Sequence, residues 1–261
     1  MKRTLSSLKL SKSPLVLVLC QVRLAAIRDM GSYIPKIQDH LRRQAYPIDV
    51  SGEVQELAIQ DGQPVARRHP HWEYRSKDER WSLIIREQAV VLQTTAYTDF
   101  NSFLERLLIA MKTVNEVVGD LVVERVGLRY IDLIRPSGDE SWKDYVQPGF
   151  HGLENQIVRP DASVLFVQII TQTGEGSRMI ARVAQNRDRM VLPPDLVANP
   201  PILQVTPSEG ELLTLVDLDH FHEERTEYSH ERLETRAWEL HDRLDILFRE
   251  IVTPHAIEVW K

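Results

Sequence analysis

Cysteine is almost missing from this chain: Cys20 is the only one in 261 residues. A single cysteine excludes an intrachain disulfide and fits a reducing compartment. Cys20 lies in the apolar run 15–22, where a thiol is expected to pack as a small hydrophobe rather than act as a nucleophile. Long apolar runs are missing too, and none approaches the roughly 20 residues that a membrane-spanning helix needs. The Met1-Lys2-Arg3 start followed by 15–20 superficially resembles a secretory signal. Its apolar part is too short, follows Pro14 and is soon interrupted by Arg23, so a cytoplasmic protein without a membrane is expected. Positive charge is in deficit, 32 Lys+Arg against 38 Asp+Glu for a net −6, which argues against duplex nucleic acid as the main partner.

Catalytic signatures are also scarce. There is no Gly-x-Ser-x-Gly elbow. Gly174-Glu-Gly176-Ser177 lacks the lysine and following helix of a phosphate loop. Glu231, Glu234, Glu239, His241 and Asp242 form no His-Glu-x-x-His pattern and read as the solvated face of a helix. No cofactor is implied. What remains is ordinary globular composition, 43% hydrophobic and 27% charged, on a length sufficient for a substantial core.

The most informative segment is 122–134, Val-Val-Glu-Arg-Val-Gly-Leu-Arg-Tyr-Ile-Asp-Leu-Ile. Period-two alternation makes it a long strand. Val122, Val126, Leu128, Tyr130 and Ile134 share one face; Arg125, Gly127, Arg129, Ile131 and Leu133 share the other. Ahead of it, 15–24 reads as a strand. Ser32 is expected to cap a helix carrying Ile34, Ile37 and Leu41, and 54–59 is a candidate short strand. A meander of 71–75, 80–85 and 89–95 follows. Thr98 is expected to cap a helix with Phe100, Phe103, Leu104, Leu107, Leu108, Met111 and Val114 on one stripe.

Beyond a connector at 139–160, strands are expected at 164–171 and 178–183, joined by a turn at Gly174-Glu-Gly176. The proline-rich stretch 193–207 is expected as loop, and 212–218 as a strand. The last helix carries Leu233, Ala237, Leu240, Leu244, Leu247, Phe248 and Ile251. Strands arriving as hairpins predict an α+β fold: largely antiparallel sheet covered by two long amphipathic helices. The expected halves are 1–138 and 139–261, packed as one unit, and their echo of each other would follow from a structural duplication.

Several segments in order carry a family resemblance. They are 15–23 with the 34–41 helix and Tyr46-Pro47, Tyr97-x-x-Phe100, Arg125-Val-Gly-Leu-Arg-Tyr-Ile131, 213–216 into Asp217-Leu-Asp219, and Phe248 through Thr253 to Trp260. Together they resemble a sporadically distributed prokaryotic family of uncharacterised function, over nearly the whole chain. That family often has asparagine where Asp132 stands. The resemblance implies no activity or cofactor. Patchy distribution implies an accessory role in a mobile-element, toxin–antitoxin or phage-defence system.

Three constellations are candidates for chemistry. Asp217, Asp219 and His222, in a run dense with metal-ligand types, would suit a divalent cation if other elements converged on them. Arg68, Trp72 and Arg75, in a basic-aromatic stretch, would suit single-stranded nucleic acid, although alternating strand faces explain the pattern equally well. Arg125, Arg129 and Tyr130 are candidates for ligand binding. The two arginines lie about 13 Å apart along one face, too far to grip one carboxylate together, and ion pairs with neighbouring strands are the preferred reading. The leading expectation is a non-enzymatic binding or interaction protein with a protein partner or small ligand. The alternatives are a metal-dependent or nucleic-acid-directed enzyme and a single-strand-binding module.

Overall fold

Short hairpins and a few long strands build the sheet in the computed structural model. It describes residues 10–60, 63–153, 164–187, 191–196 and 201–261, except for the side chains of 54–60, 63–68 and 194. In chain order come β1 (Leu15–Leu24), α1 (Met30–Gln44), β2 (Ile48–Asp49), β3 (Gly52–Gln60), β4 (Gln63–Arg75), β5 (Trp81–Arg86), β6 (Ala89–Thr94) and α2 (Phe100–Val118). Then follow β7 (Val122–Ile134), α3 (Trp142–Tyr145), β8 (Phe166–Gly174), β9 (Ser177–Asn186), β10 (Leu213–Glu227), α4 (His230–Ile251) and α5 (Pro254–Trp260). The fold is α+β, with a large antiparallel sheet of ten strands in the order β2-β4-β5-β6-β1-β7-β10-β9-β8 and β3 paired to β4. Among the described residues no helix is long and apolar enough to cross a membrane.

The chain forms two compact units, each assembled from distant segments. One gathers Leu19–Val126 and Glu223–Arg236; the other gathers residues up to Val18, Gly127–His222 and Ala237–Lys261. β1, β7 and β10 each give residues to both units.

In the first unit, β4, β5 and β6 form a meander with registers such as Trp72↔Ile85 and Leu83↔Leu92. β5 and β6 are buried on both faces apart from Arg86, which suits their Ile, Leu and Val content. The α2 stripe packs inward, with Phe103, Leu107, Met111 and Val114 at 1% exposure or less. Phe103 meets Trp81 at a ring distance of 6.1 Å, and the Arg106 guanidinium lies 4.4 Å over that indole.

The cap of α2 is Asp99, not Thr98. Asp99 has extended backbone, and its carboxylate accepts from the Ser102 amide at 2.9 Å. Asp99→Ala is expected to cost about 1 kcal/mol, read as a shift in the urea midpoint; an unchanged midpoint would contradict that role for the cap. Ser32 is likewise not a cap. α1 begins at Met30, and the Ser32 hydroxyl, inside its first turn, donates to the Asp29 carbonyl at 2.9 Å.

In the second unit, β9 and β10 pair from Leu213↔Asn186 to His222↔Ser177. β8 joins β9 through a tight turn in which Gly176 has φ 67°, a left-handed conformation that glycine adopts without steric cost. β10 runs to Glu227 rather than ending near Leu218, so Asp219 to His222 are ladder residues and not an exit loop. Residues 201–212 carry no regular element, and Pro194–Leu196 forms a single 3-10 turn. Residues 197–200 of that proline-rich stretch lie outside the described residues.

α5 was not expected from the sequence. Thr253 caps it by accepting from the Ala256 amide, and Pro254 opens it, an arrangement that costs no hydrogen bond at a helix start. Trp260 then stacks near Phe248 and Tyr145, at ring distances of 6.1 and 5.7 Å.

Candidate functional site

A chain of charges joins three strands and a 3-10 turn of the second unit. Alternation sends Arg129 of β7, Asp217 of β10 and Arg182 of β9 to one side of the sheet, and Asp217 and Arg182 are direct cross-strand partners. Arg129 grips Asp217 through two parallel bonds, Nε to Oδ1 at 2.7 Å and Nη2 to Oδ2 at 2.8 Å. This fork-to-fork geometry is the strong form of the arginine–carboxylate pair. Arg182 adds a third bond, Nη1 to Asp217 Oδ2 at 2.8 Å, and its Nε donates to Gln168 Oε1 at 2.8 Å. The outward edge of Arg129 meets Asp195 on the 3-10 turn, Nη1 to Oδ2 at 2.6 Å and Nη2 to Oδ1 at 3.2 Å.

The two carboxylates sit in different surroundings. The side chains of Arg129 and Asp217 are 10% and 4% exposed, whereas that of Asp195 is 62% exposed. Burial alone would depress the pKa of Arg129; hydrogen bonds and the charges of Asp217 and Asp195 override it and raise the pKa above the ordinary value. Partial burial pushes Asp195 upward, but its bonds to Arg129 outweigh that and hold its carboxyl below the usual range. The inner edge of the guanidinium is thus locked and its outer edge is met by a carboxylate in contact with water.

The opposite side of the same strands holds a second polar set. Tyr130 Oη is hydrogen-bonded to His241 Nδ1 of α4 at 2.9 Å. His220 Nε2 bonds to Thr173 Oγ1 at 2.8 Å, and Gln185 Nε2 donates to Thr214 Oγ1 at 3.1 Å. Asp132 lies two residues from Tyr130, hence on its face, and is only 3% exposed. Burial, reinforced by the negative charge of Asp217, pushes its carboxyl up to about 8.

The constellations read from the sequence are dispersed. Arg129 and Tyr130 point to opposite faces, and Arg125 belongs to the other unit, where its Nη1 donates to Gln21 Oε1 at 2.9 Å. Cys20, in that unit too, is buried, and its thiol is pushed up to about 12 by burial, against a smaller opposing pull from Arg125. Trp72 and Arg75 are three residues apart on β4 and so face opposite ways, and the Arg68 side chain lies outside the described residues. Arg75 is committed to Glu73 at 2.7 Å and Glu79 at 3.3 Å. Glu73 is fully buried and also bonds to His71 and Ser82, which holds its carboxyl low despite burial.

Among the described residues no three His, Cys, Asp or Glu side chains group to hold a metal ion. Asp217 faces Arg129 and Arg182, while His222 lies on the other side of β10 and is hydrogen-bonded to Ser177 at 2.8 Å. A separate open cleft of about 470 Å³ beside Arg42, Arg43 and Lys77 is polar, and both of those arginines already pair with Asp39.

Arg182, Asp195 and Asp132 were missed as site residues. Asp132 carried a legible signal, a lone carboxylate inside an apolar strand. Asp195 carried none, because its reach to Arg129 depends on a loop path. No protein-family model matches the chain, and no curated protein matches it either.

Proposed function

We propose that this is a non-catalytic binding protein whose ligand is a small molecule bearing a carboxylate or phosphate, taken at the outer edge of Arg129. One observation carries the reading: a buried guanidinium, locked from behind by Asp217, has its outer edge paired with a carboxylate that is 62% exposed. A planar fork of donors suits any oxyanion. Asp195 occupies the position such a group would take, as an internal counterion that an external one replaces. With Asp195 withdrawn, Arg129 and Arg182 face Asp217 alone, and the cluster carries one net positive charge to attract the ligand. The test is calorimetric titration with inorganic phosphate and with acetate. The wild type is expected to bind weakly and Asp195→Ala up to about fivefold more tightly, since one competing surface ion pair of up to about 1 kcal/mol is removed. Asp195→Ala that binds neither anion, or binds no better than the wild type, would overturn the proposal.

A further inference from the structure

An anion that takes the place of Asp195 on Arg129 strips the Asp195 carboxylate of the cation it now meets. That carboxylate bonds to the guanidinium through both oxygens, Oδ2 at 2.6 Å and Oδ1 at 3.2 Å, from a side chain largely open to water. The backbone beneath it is held. Prolines at 193 and 194 restrict φ, and the Leu196 amide donates to the Pro193 carbonyl at 2.9 Å. The carboxylate therefore leaves Arg129 by rotation about χ1 into a neighbouring staggered well on its open side. With one χ1 bond as the pivot, it moves only a few ångströms and stays beside the group that displaced it. The other nearby cation is committed elsewhere. Arg182 donates through Nη1 to Asp217 and through Nε to Gln168, at 2.8 Å each.

We infer, resting on the oxyanion reading of Arg129, that the ligand is a zwitterion of the α-amino acid class, its carboxylate on Arg129 and its ammonium on Asp195. A bare anion breaks one ion pair and forms one. A zwitterion breaks the same pair and forms two, so Arg129 and Asp195 both keep a partner of opposite charge. The spacing suits a short ligand. In an α-amino acid the nitrogen lies about 2.5 Å from the carboxyl carbon, which sets the ammonium next to the displaced Asp195 group when the carboxylate is seated on the guanidinium. A ligand with a second negative charge at that position would instead face Asp195 with like charge. Asp195 thus acts twice, as the counterion of the empty site and as the group that selects an amine in the filled one.

Glycine is acetate with an ammonium group added, so the two probes isolate the contribution of that group. Each is titrated at neutral pH into the wild type and into Asp195→Ala while the Arg129 guanidinium resonances are followed. The wild type is expected to favour glycine over acetate by about two- to fivefold, the range of one solvent-exposed ion pair. In Asp195→Ala the preference is expected to vanish, with acetate rising to the level of glycine, because the competing carboxylate and the ammonium partner are lost together. A wild type without preference, beside a variant that binds acetate, overturns the zwitterion and leaves the oxyanion reading standing. A preference for glycine that survives Asp195→Ala also overturns it, since the ammonium is then read by another group. A variant whose Arg129 signals respond to neither probe overturns both readings.

Discussion

Asp132→Asn is expected to stabilise the protein at neutral and alkaline pH and to remove a large part of its pH dependence. The carboxyl of Asp132 is buried, and burial together with the charge of Asp217 raises it to about 8 from 3.8. Between those values the folded chain holds a proton that the unfolded chain has released. Stability therefore falls as pH rises, by up to about 1.4 kcal/mol per unit. The favourable state is fully present below about pH 4, is lost through about pH 8 and is constant above it. Asparagine is neutral throughout and has nearly the same shape. Urea midpoints from pH 5 to 9 should show the variant drawing ahead of the wild type as pH rises, with the gap levelling beyond about pH 8. Parallel profiles would show that Asp132 ionises normally and that its surroundings are wetter than its burial implies.

Asp217→Asn is expected to destabilise by about 3–5 kcal/mol, the usual consequence of breaking a buried ion pair from one side. Arg129 would keep only Asp195, and Arg182 would lose its acid. The loss comes mainly from leaving a guanidinium without its buried partner, not from the worth of the pair itself. Asp195→Asn removes a bond to the same guanidinium but leaves a solvent-exposed amide, so its cost should stay under about 1 kcal/mol. The contrast between the two aspartates is the informative quantity. Equal effects in chemical denaturation would mean that burial does not separate their roles.

The parts legible in the sequence were those set by local periodicity. β7 spans the expected 122–134, and the apolar stripes of α1 and α2 are buried. β5 and β6 also fall near their expected bounds, because Trp, Ile and Val leave few other readings, whereas β4 begins at Gln63, eight residues before the expected 71, and pairs with β3 there. Helix starts were less legible. Thr98 and Asp99 are both good caps, and only backbone geometry selects the second. The Thr253-Pro254 pair was a usable signal for α5 that apolar periodicity over so short a segment does not reveal.

The candidate site was the least legible. It joins Arg129, Arg182, Asp195 and Asp217, separated by up to 88 positions, and only strand order and register bring them together. Asp217 and Arg129 stood out as residues, each assigned to a different group. Their mutual pairing satisfies both, and it explains why Asp217 faces guanidinium groups where a cation site was one expectation.

The most direct test of the Arg129 site is to watch its guanidinium resonances by nuclear magnetic resonance while inorganic phosphate is added to the wild type and to Asp195→Ala. The expected result is a saturable shift of the Arg129 signals in both, reached at lower phosphate in the variant, with Arg125 unmoved. Shifts confined to Arg42 and Arg43, or an Arg129 signal indifferent to phosphate once Asp195 is gone, would contradict oxyanion binding at this site.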